Sequence, residues 1–114
     1  MSAITTHVLD TSRGQAAADV HVLLEFRSDA GDWQSIGRGS TDLDGRLRTL
    51  WPDARPLVPG VYRLTFDTER YFESQGVATF YPEVVVVFET APREKHYHVP
   101  LLLSPFGYST YRGT

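Results

Sequence analysis

Four histidines are the side chains in this sequence best suited to acid–base chemistry, because an imidazole exchanges protons near neutral pH and can also bind a metal. They are His7, His21, His96 and His98. His96 and His98 are two positions apart in an alternating segment, so they share one face of a strand. His7 belongs to a different strand, and His21 faces away from the apolar residues of its own strand. Taken singly, each histidine is more often structural than functional.

The C-terminal segment carries a second polar group, made of Tyr111, Arg112 and Thr114. One interpretation is an edge strand packed by its tyrosines, at a chain end of the kind that usually tolerates change. The other is a cluster of donors that completes a site for an anion or a carbonyl oxygen. Arg112 is the main candidate for that role, since its charge is permanent and its donors are paired. The residues alone leave both interpretations open.

Metal and thiol chemistry find little support in the sequence. It contains no cysteine, which excludes disulfides, thiolate metal sites and a cysteine nucleophile. No helical pair of histidines supplies two zinc ligands. Asp42 and Asp44 precede Gly45, but the other calcium ligands are missing and an Asp-Gly turn explains the pattern. We expect neither a metal nor another cofactor.

Short strands must position these residues. In 95–103 the alternation places His96 and His98 on one face and the apolar Tyr97 and Val99 on the other. Other strands are predicted at 4–9, 20–27, 33–41, 46–50, 61–66, 83–89 and 106–112. The only predicted helix is 68–75, capped by Thr68 and ended by Gly76.

Three of these strands carry more specific expectations. Two glycines in 33–41 indicate a position near a sheet edge or a bulge. Strand 46–50 is expected to return from an Asp-Gly hairpin. Four consecutive valines in 83–89 predict a strand buried on both faces, or nearly so. Seven to eight short strands and one short helix together indicate an all-β sandwich.

Length and composition set the remaining limits. The 114 residues, with 41% apolar and 22% charged residues, suit one globular domain, 1–114. The net charge of −3 argues against a nucleic-acid partner. The longest apolar run, 84–88, is far shorter than the roughly 20 residues of a membrane span. Residues 1–10 do not follow a signal-peptide pattern, so we expect a cytoplasmic protein, or a periplasmic one if a signal peptide was removed.

Three blocks of the sequence, 4–10, 41–46 and 96–114, resemble the 5-hydroxyisourate hydrolases, the enzymatic branch of the transthyretin-like family. Segments 59–67 and 80–84 also follow the family pattern. The resemblance spans essentially the whole chain, and the last block is long and specific. One departure is Thr114, where the family usually has serine; the hydroxyl remains and a methyl group is added.

The resemblance implies a transthyretin-like two-sheet β-sandwich and an enzyme of urate catabolism. Its reaction would be water attack on a ring carbonyl of 5-hydroxyisourate, opening the ring to 2-oxo-4-hydroxy-4-carboxy-5-ureidoimidazoline. It also implies a homotetramer, a dimer of dimers. We expect no nucleic-acid or membrane partner, for the reasons of charge and apolar-run length given above. The implied catalytic residues are His7, Arg46 and His98, and the implied substrate-binding residues are Tyr111, Arg112 and Thr114.

The roles within this set are left partly open. His7 and His98 suit proton transfer, but the sequence does not say which is the base and which the acid. Arg46 and Arg112 keep their protons, so they suit substrate orientation and charge stabilisation. We expect these four residues to converge in one pocket drawn from more than one subunit.

Three other functions compete with this one. A carrier for a small planar ligand would use the same sandwich, but an apolar channel has no need of these histidines and arginines. A structural or interaction domain is a second alternative. A hydrolase acting on a related cyclic imide is a third.

Overall fold

The computed structural model describes residues 3–52 and 55–114, which form a two-sheet β-sandwich with one short helix. The strands are β1 (Ile4–Asp10), β2 (Gln15–Ala16), β3 (His21–Arg27), β4 (Trp33–Ser40), β5 (Arg46–Leu47), β6 (Gly60–Phe66), β7 (Val84–Thr90), β8 (Tyr97–Ser104) and β9 (Gly107–Thr110), and the helix is α1 (Thr68–Glu73). The predicted all-β class is therefore confirmed. The two-residue β2 was not predicted, since so short a strand has no alternation to detect.

The first sheet has the order β2-β1-β8-β9, with β5 also paired to β1. β1 and β8 run parallel, and their register places Thr5 opposite His98. On the other edge of β1, the antiparallel β5 places Arg46 opposite His7. β1 thus lies between β5 and β8, which are distant in sequence, and it brings their outward-facing side chains close together.

The second sheet has the order β4-β3-β6-β7, and all its neighbours are antiparallel. β4 lies at an edge, and its register against β3 shifts between Leu24 and Glu25, which confirms the prediction for 33–41. β7 lies at the opposite edge. Its predicted burial on both faces is wrong: Val84 is fully buried, but Val85 and Val87 are 40% and 55% exposed. Among residues 3–52 and 55–114 no layer covers the outer face of β7, so alternate valines face out.

The core lies between the two sheets and is made of the inward residues of each strand. In β8 these are Tyr97, Val99, Leu101 and Leu103, as the alternation predicts. The largest fully buried side chains are Tyr62, Phe66, Phe72, Ile4, Leu24, Leu50, Leu64, Leu101 and Leu103. Because strand side chains alternate, this apolar inner face leaves His98 on the outer face of the first sheet.

The Asp-Gly turn forms, but its returning strand pairs differently from the prediction. Gly45 N–H donates to the Asp42 carbonyl (2.9 Å), and Gly45 adopts φ of 76°. β5 then pairs with β1 of the first sheet, not with β4, and covers only two of the five predicted residues. A Cβ at position 45 would collide with the Val8 carbonyl oxygen, so the turn packs directly on β1.

The helix begins where predicted, but it is shorter and has a different cap. Asp67 is the N-cap, and its carboxylate accepts a bond from Arg70 N–H (3.3 Å). The Thr68 hydroxyl instead donates to the Tyr81 carbonyl (3.2 Å). Tyr71 anchors the helix by donating to the buried carboxylate of Asp10 (2.8 Å). Within residues 3–52 and 55–114, no helix is long and apolar enough to cross a membrane.

Candidate functional site

A cavity of about 750 Å³ opens on the outer face of the first sheet. Its lining includes two arginines, two histidines, a tryptophan and the C-terminal residue: Arg46, Arg48, His96, His98, Trp51 and Thr114. In the described part of the chain no Asp or Glu side chain lines this cavity. Such a cationic wall suits an anionic ligand or an oxygen that gains negative charge during a reaction.

Three segments bring these side chains together. β8 supplies His98, β5 supplies Arg46, and both flank β1. The C-terminal segment continues beyond β9 along β8, where Gly113 forms an antiparallel bridge with His98. The Gly113 N–H donates to the His98 carbonyl (2.8 Å), which brings Thr114 to the cavity.

The His98 ring is held from two sides. Its Nδ1 lies 2.8 Å from the Thr5 hydroxyl oxygen. Its Cδ2 edge packs against Gly113, where an added Cβ would lie 2.7 Å from Cδ2. Burial, and then the positive charges of His7, Arg46 and His96, lower the pKa of His98 from its ordinary 6.5. His98 is therefore mainly neutral at neutral pH.

His7 lies beside the cavity and not in its lining. The Cα atoms of His7 and Arg46 are partners in the β1–β5 ladder. His7 Nε2 is 2.9 Å from the backbone carbonyl oxygen of Asp44. A carbonyl oxygen only accepts, so this nitrogen carries the proton and a neutral His7 keeps its lone pair on Nδ1.

Tyr111 and Arg112 occupy a different place. They line a second cavity of about 250 Å³, next to Phe88 and Tyr97. The Arg112 guanidinium lies 3.5 Å from the Glu94 carboxylate and 4.8 Å from the centre of the Tyr97 ring. Gly113 is opposite His98, and strand side chains alternate between the two faces. The side chain of the preceding residue, Arg112, therefore points to the face opposite that of His98. Within one chain Arg112 therefore does not share the cavity of His98.

Of the residues predicted to form the site, the structure thus gathers Arg46, His98 and Thr114 around one cavity, with His7 alongside. His21, to which the sequence assigns no role, lies on the second sheet, 3.7 Å from the Asp19 carboxylate. Among the described residues, no group of three or more His, Asp or Glu could hold a metal ion.

Sequence reasoning missed Thr5 and Trp51. Thr5 shares the outward face of β1 with His7, which the alternation could have indicated. Its contact with His98 depends on the parallel pairing of β1 with β8, across 93 positions of sequence. Trp51 follows a short strand without periodicity, and its indole N–H is fixed by the Arg55 carbonyl (2.6 Å).

Comparison with known proteins gives a consistent result. The model of the "HIUase/Transthyretin family" matches residues 4–113. The 5-hydroxyisourate hydrolase of Salmonella typhimurium is 48% identical over 111 residues, covering 97% of this chain and 80% of the relative. That of Mus musculus is 43% identical over 114 residues, covering 99% and 96%. The structure of sea bream transthyretin in complex with thyroxine superposes with a TM-score of 0.91 at 34% identity, covering 98% and 95%.

Proposed function

Because this chain belongs to the HIUase/transthyretin family, we propose that it is an enzyme that hydrolyses 5-hydroxyisourate in urate degradation. The observation that carries the proposal is the cavity that joins His98 and Arg46 without an acidic side chain among its described lining residues. Ring opening by water needs a base, a cationic group for the oxyanion and a proton donor for the leaving nitrogen. The cavity and its neighbour His7 supply groups of these types.

In the proposed reaction, His7 is the base. Its Nε2 is committed to the Asp44 carbonyl, so the neutral ring accepts a proton at Nδ1. Water loses a proton to this nitrogen and its oxygen bonds to a ring carbonyl carbon, whose oxygen becomes an oxyanion. The carbon–nitrogen bond then breaks, and the proton on His7 passes to the leaving nitrogen. The product is 2-oxo-4-hydroxy-4-carboxy-5-ureidoimidazoline.

Arg46 and His98 stabilise the oxyanion in this scheme. Arg46 stays charged at any relevant pH, so it provides a fixed positive group. The lowered pKa of His98 keeps its imidazole neutral, and this ring stabilises the oxyanion together with Arg46. Thr114, which also lines the cavity, orients the ring.

Tyr111 and Arg112 bind substrate in this proposal only if they come from a neighbouring subunit. In their own chain Arg112 is engaged with Glu94 and Tyr97, away from His98. We therefore keep the homotetramer, a dimer of dimers, as the proposed assembly. Its test is complementation: two inactive variants, His98→Ala and Arg112→Ala, are unfolded, mixed and refolded together. Recovery of activity supports sharing between subunits, and its absence in a mixed oligomer contradicts it.

The function itself is tested by following the ultraviolet decay of 5-hydroxyisourate generated in place from urate. We expect the protein to accelerate the decay and His98→Ala to lose most of that acceleration while keeping its fold. His21→Ala is the matched control, since His21 is exposed on the other sheet. Unchanged spontaneous decay with a folded protein would contradict the proposal. The proposed compartment, the cytoplasm, is tested separately by cell fractionation.

One observation favours a second function, that of a carrier. The sea bream transthyretin that superposes on this chain was solved with thyroxine bound. If the hydrolysis assay fails, titration with thyroxine followed by tryptophan fluorescence distinguishes a carrier from a protein of neither type. The charged wall of the cavity argues against a carrier, because covering charged side chains with an apolar ligand removes their hydration and costs free energy.

A further inference from the structure

We propose that Thr5 is a positioning residue of this site: its hydroxyl donates a hydrogen bond to His98 Nδ1 and so presents the Nε2–H of that ring to the cavity. The inference rests on the proposed function, since it assigns His98 the role of hydrogen-bond donor to the reacting oxygen. It gives a geometric cause for the role that the proposed reaction assigns to His98.

The contact is well placed for such a role. Thr5 Oγ1 and His98 Nδ1 are 2.8 Å apart, and Thr5 is only 8% exposed. The two residues are direct partners in the parallel β1–β8 ladder, so the backbone fixes their separation. β-branching also restricts the threonine rotamer, which keeps the hydroxyl in position.

The direction of the bond follows from counting protons. A threonine hydroxyl has one proton to donate, and a neutral imidazole has one N–H and one lone pair. Among residues 3–52 and 55–114, the Thr5 hydroxyl has no other hydrogen-bond partner. If His98 donated, the hydroxyl proton of this nearly buried residue would have no acceptor in that part of the chain. If Thr5 donates, both groups are satisfied and the ring proton is on Nε2.

The rest of the ring environment leaves Nε2 facing the cavity. Gly113 covers the Cδ2 edge, and Thr5 covers Nδ1. What remains of the ring to line the cavity is the Cε1–Nε2 edge. Thr5 and Gly113 together therefore define both the orientation and the tautomer.

A neutral imidazole fixed as a donor can hold an oxyanion without giving up its proton. The lowered pKa of His98 agrees with this role, because burial and the charges of His7, Arg46 and His96 disfavour the imidazolium. His98 Nε2–H and the Arg46 guanidinium would then act on the same developing charge, while His7 handles the proton.

The first test reads the tautomer directly. Nitrogen-15 NMR of the histidine side chains, assigned with His98→Ala, distinguishes a protonated ring nitrogen from one with a lone pair. We expect the wild type to show a protonated Nε2 and an unprotonated Nδ1 on His98. The opposite pattern would overturn the proposed direction of the bond, whatever the activity of the protein.

The second test is kinetic and uses Thr5→Val, which removes the hydroxyl and keeps the branched shape. We expect kcat to fall roughly five- to tenfold, the worth of one hydrogen bond, with little change in KM, and the His98 tautomer signals to become mixed. Thr5→Ser, which restores a hydroxyl, should recover most of both. Thr68→Val is the control, since it removes the hydroxyl of another buried threonine, one that is not among the residues lining the cavity.

The outcomes separate the two proposals. If the wild type does not accelerate decay, the hydrolase proposal fails, and the NMR result still decides the tautomer. If the wild type is active but Thr5→Val keeps its kcat and its His98 signals, Thr5 has no positioning role. If Thr5→Val does not fold, the wild-type nitrogen-15 spectrum still shows which nitrogen of His98 carries the proton. The kcat of Thr5→Ser then shows whether a hydroxyl at this position is sufficient for activity.

Discussion

Gly113 gives the sharpest test of how the C-terminal segment supports the site. A Cβ at this position would lie 2.7 Å from His98 Cδ2, whereas ordinary contacts begin at 3.4 Å. Gly113→Ala must therefore displace the ring or the terminal backbone by at least about 0.7 Å. The ring cannot simply turn away, because its other side is bonded to Thr5.

The magnitude follows from this displacement. A misplacement of about 1 Å in a catalytic group can cost about a hundredfold in rate, so we expect kcat to fall between roughly tenfold and a hundredfold. The bond from Gly113 N–H to the His98 carbonyl is also weakened, which costs about 1 kcal/mol of stability. The loss of rate should therefore be much larger than the loss of folded protein.

The assay is again the decay of 5-hydroxyisourate, and Gly107→Ala is its matched control. Gly107 is also a C-terminal glycine, but its nearest neighbour to an added Cβ is Ser104 Oγ at 3.7 Å, an ordinary contact. Gly107→Ala should behave like the wild type. A Gly113→Ala protein whose kcat is within twofold of that of Gly107→Ala would refute the argument that the terminal segment holds the ring.

Three further predictions concern pH and stability. Because the pKa of His98 is lowered, its ring should gain the second proton only below about pH 6.5, which nitrogen-15 NMR of the ring follows, and Arg46→Gln, by removing one positive charge, should move that midpoint upwards; a midpoint that stays in place would contradict the part given to Arg46 in the shift. The same shift means that the unfolded chain binds more protons below pH 6.5, so the free energy of unfolding should decrease as the pH falls through that range, which urea denaturation measures. Tyr71→Phe removes the hydroxyl that donates to the fully buried Asp10 carboxylate. It should lower the free energy of unfolding by about 1–3 kcal/mol and leave the rate per folded molecule unchanged. An unaltered urea midpoint would contradict the stabilising role of this hydrogen bond.

Much of the fold was readable from local pattern. Alternation in β8 correctly separated the core residues Tyr97 and Val99 from the outward His98. The two glycines of β4 correctly indicated an edge. Where the sequence misled, the missing information was about neighbours: nothing in the valine run of β7 says that one side of its sheet is left uncovered in the chain.

The pairing of β5 shows the same limit at the site. An Asp-Gly turn predicts a hairpin, and the turn forms as expected. The strand after it nevertheless joins β1, and this crossing between sheets is what brings Arg46 opposite His7. The Asp-Gly sequence determines the turn, but it does not determine which strand the following segment pairs with.

The residues capable of chemistry, their periodicity and the resemblance to a family were determined by the sequence alone, because side-chain type and strand alternation are local properties. Which of them meet was decided only by tertiary structure. The contact of Thr5 with His98 arises from a parallel register across 93 positions. The separation of Arg112 from His98 arises from the pleat of the terminal segment, one residue before Gly113. Both depend on which strands lie side by side, and burial of the whole apolar core sets that order.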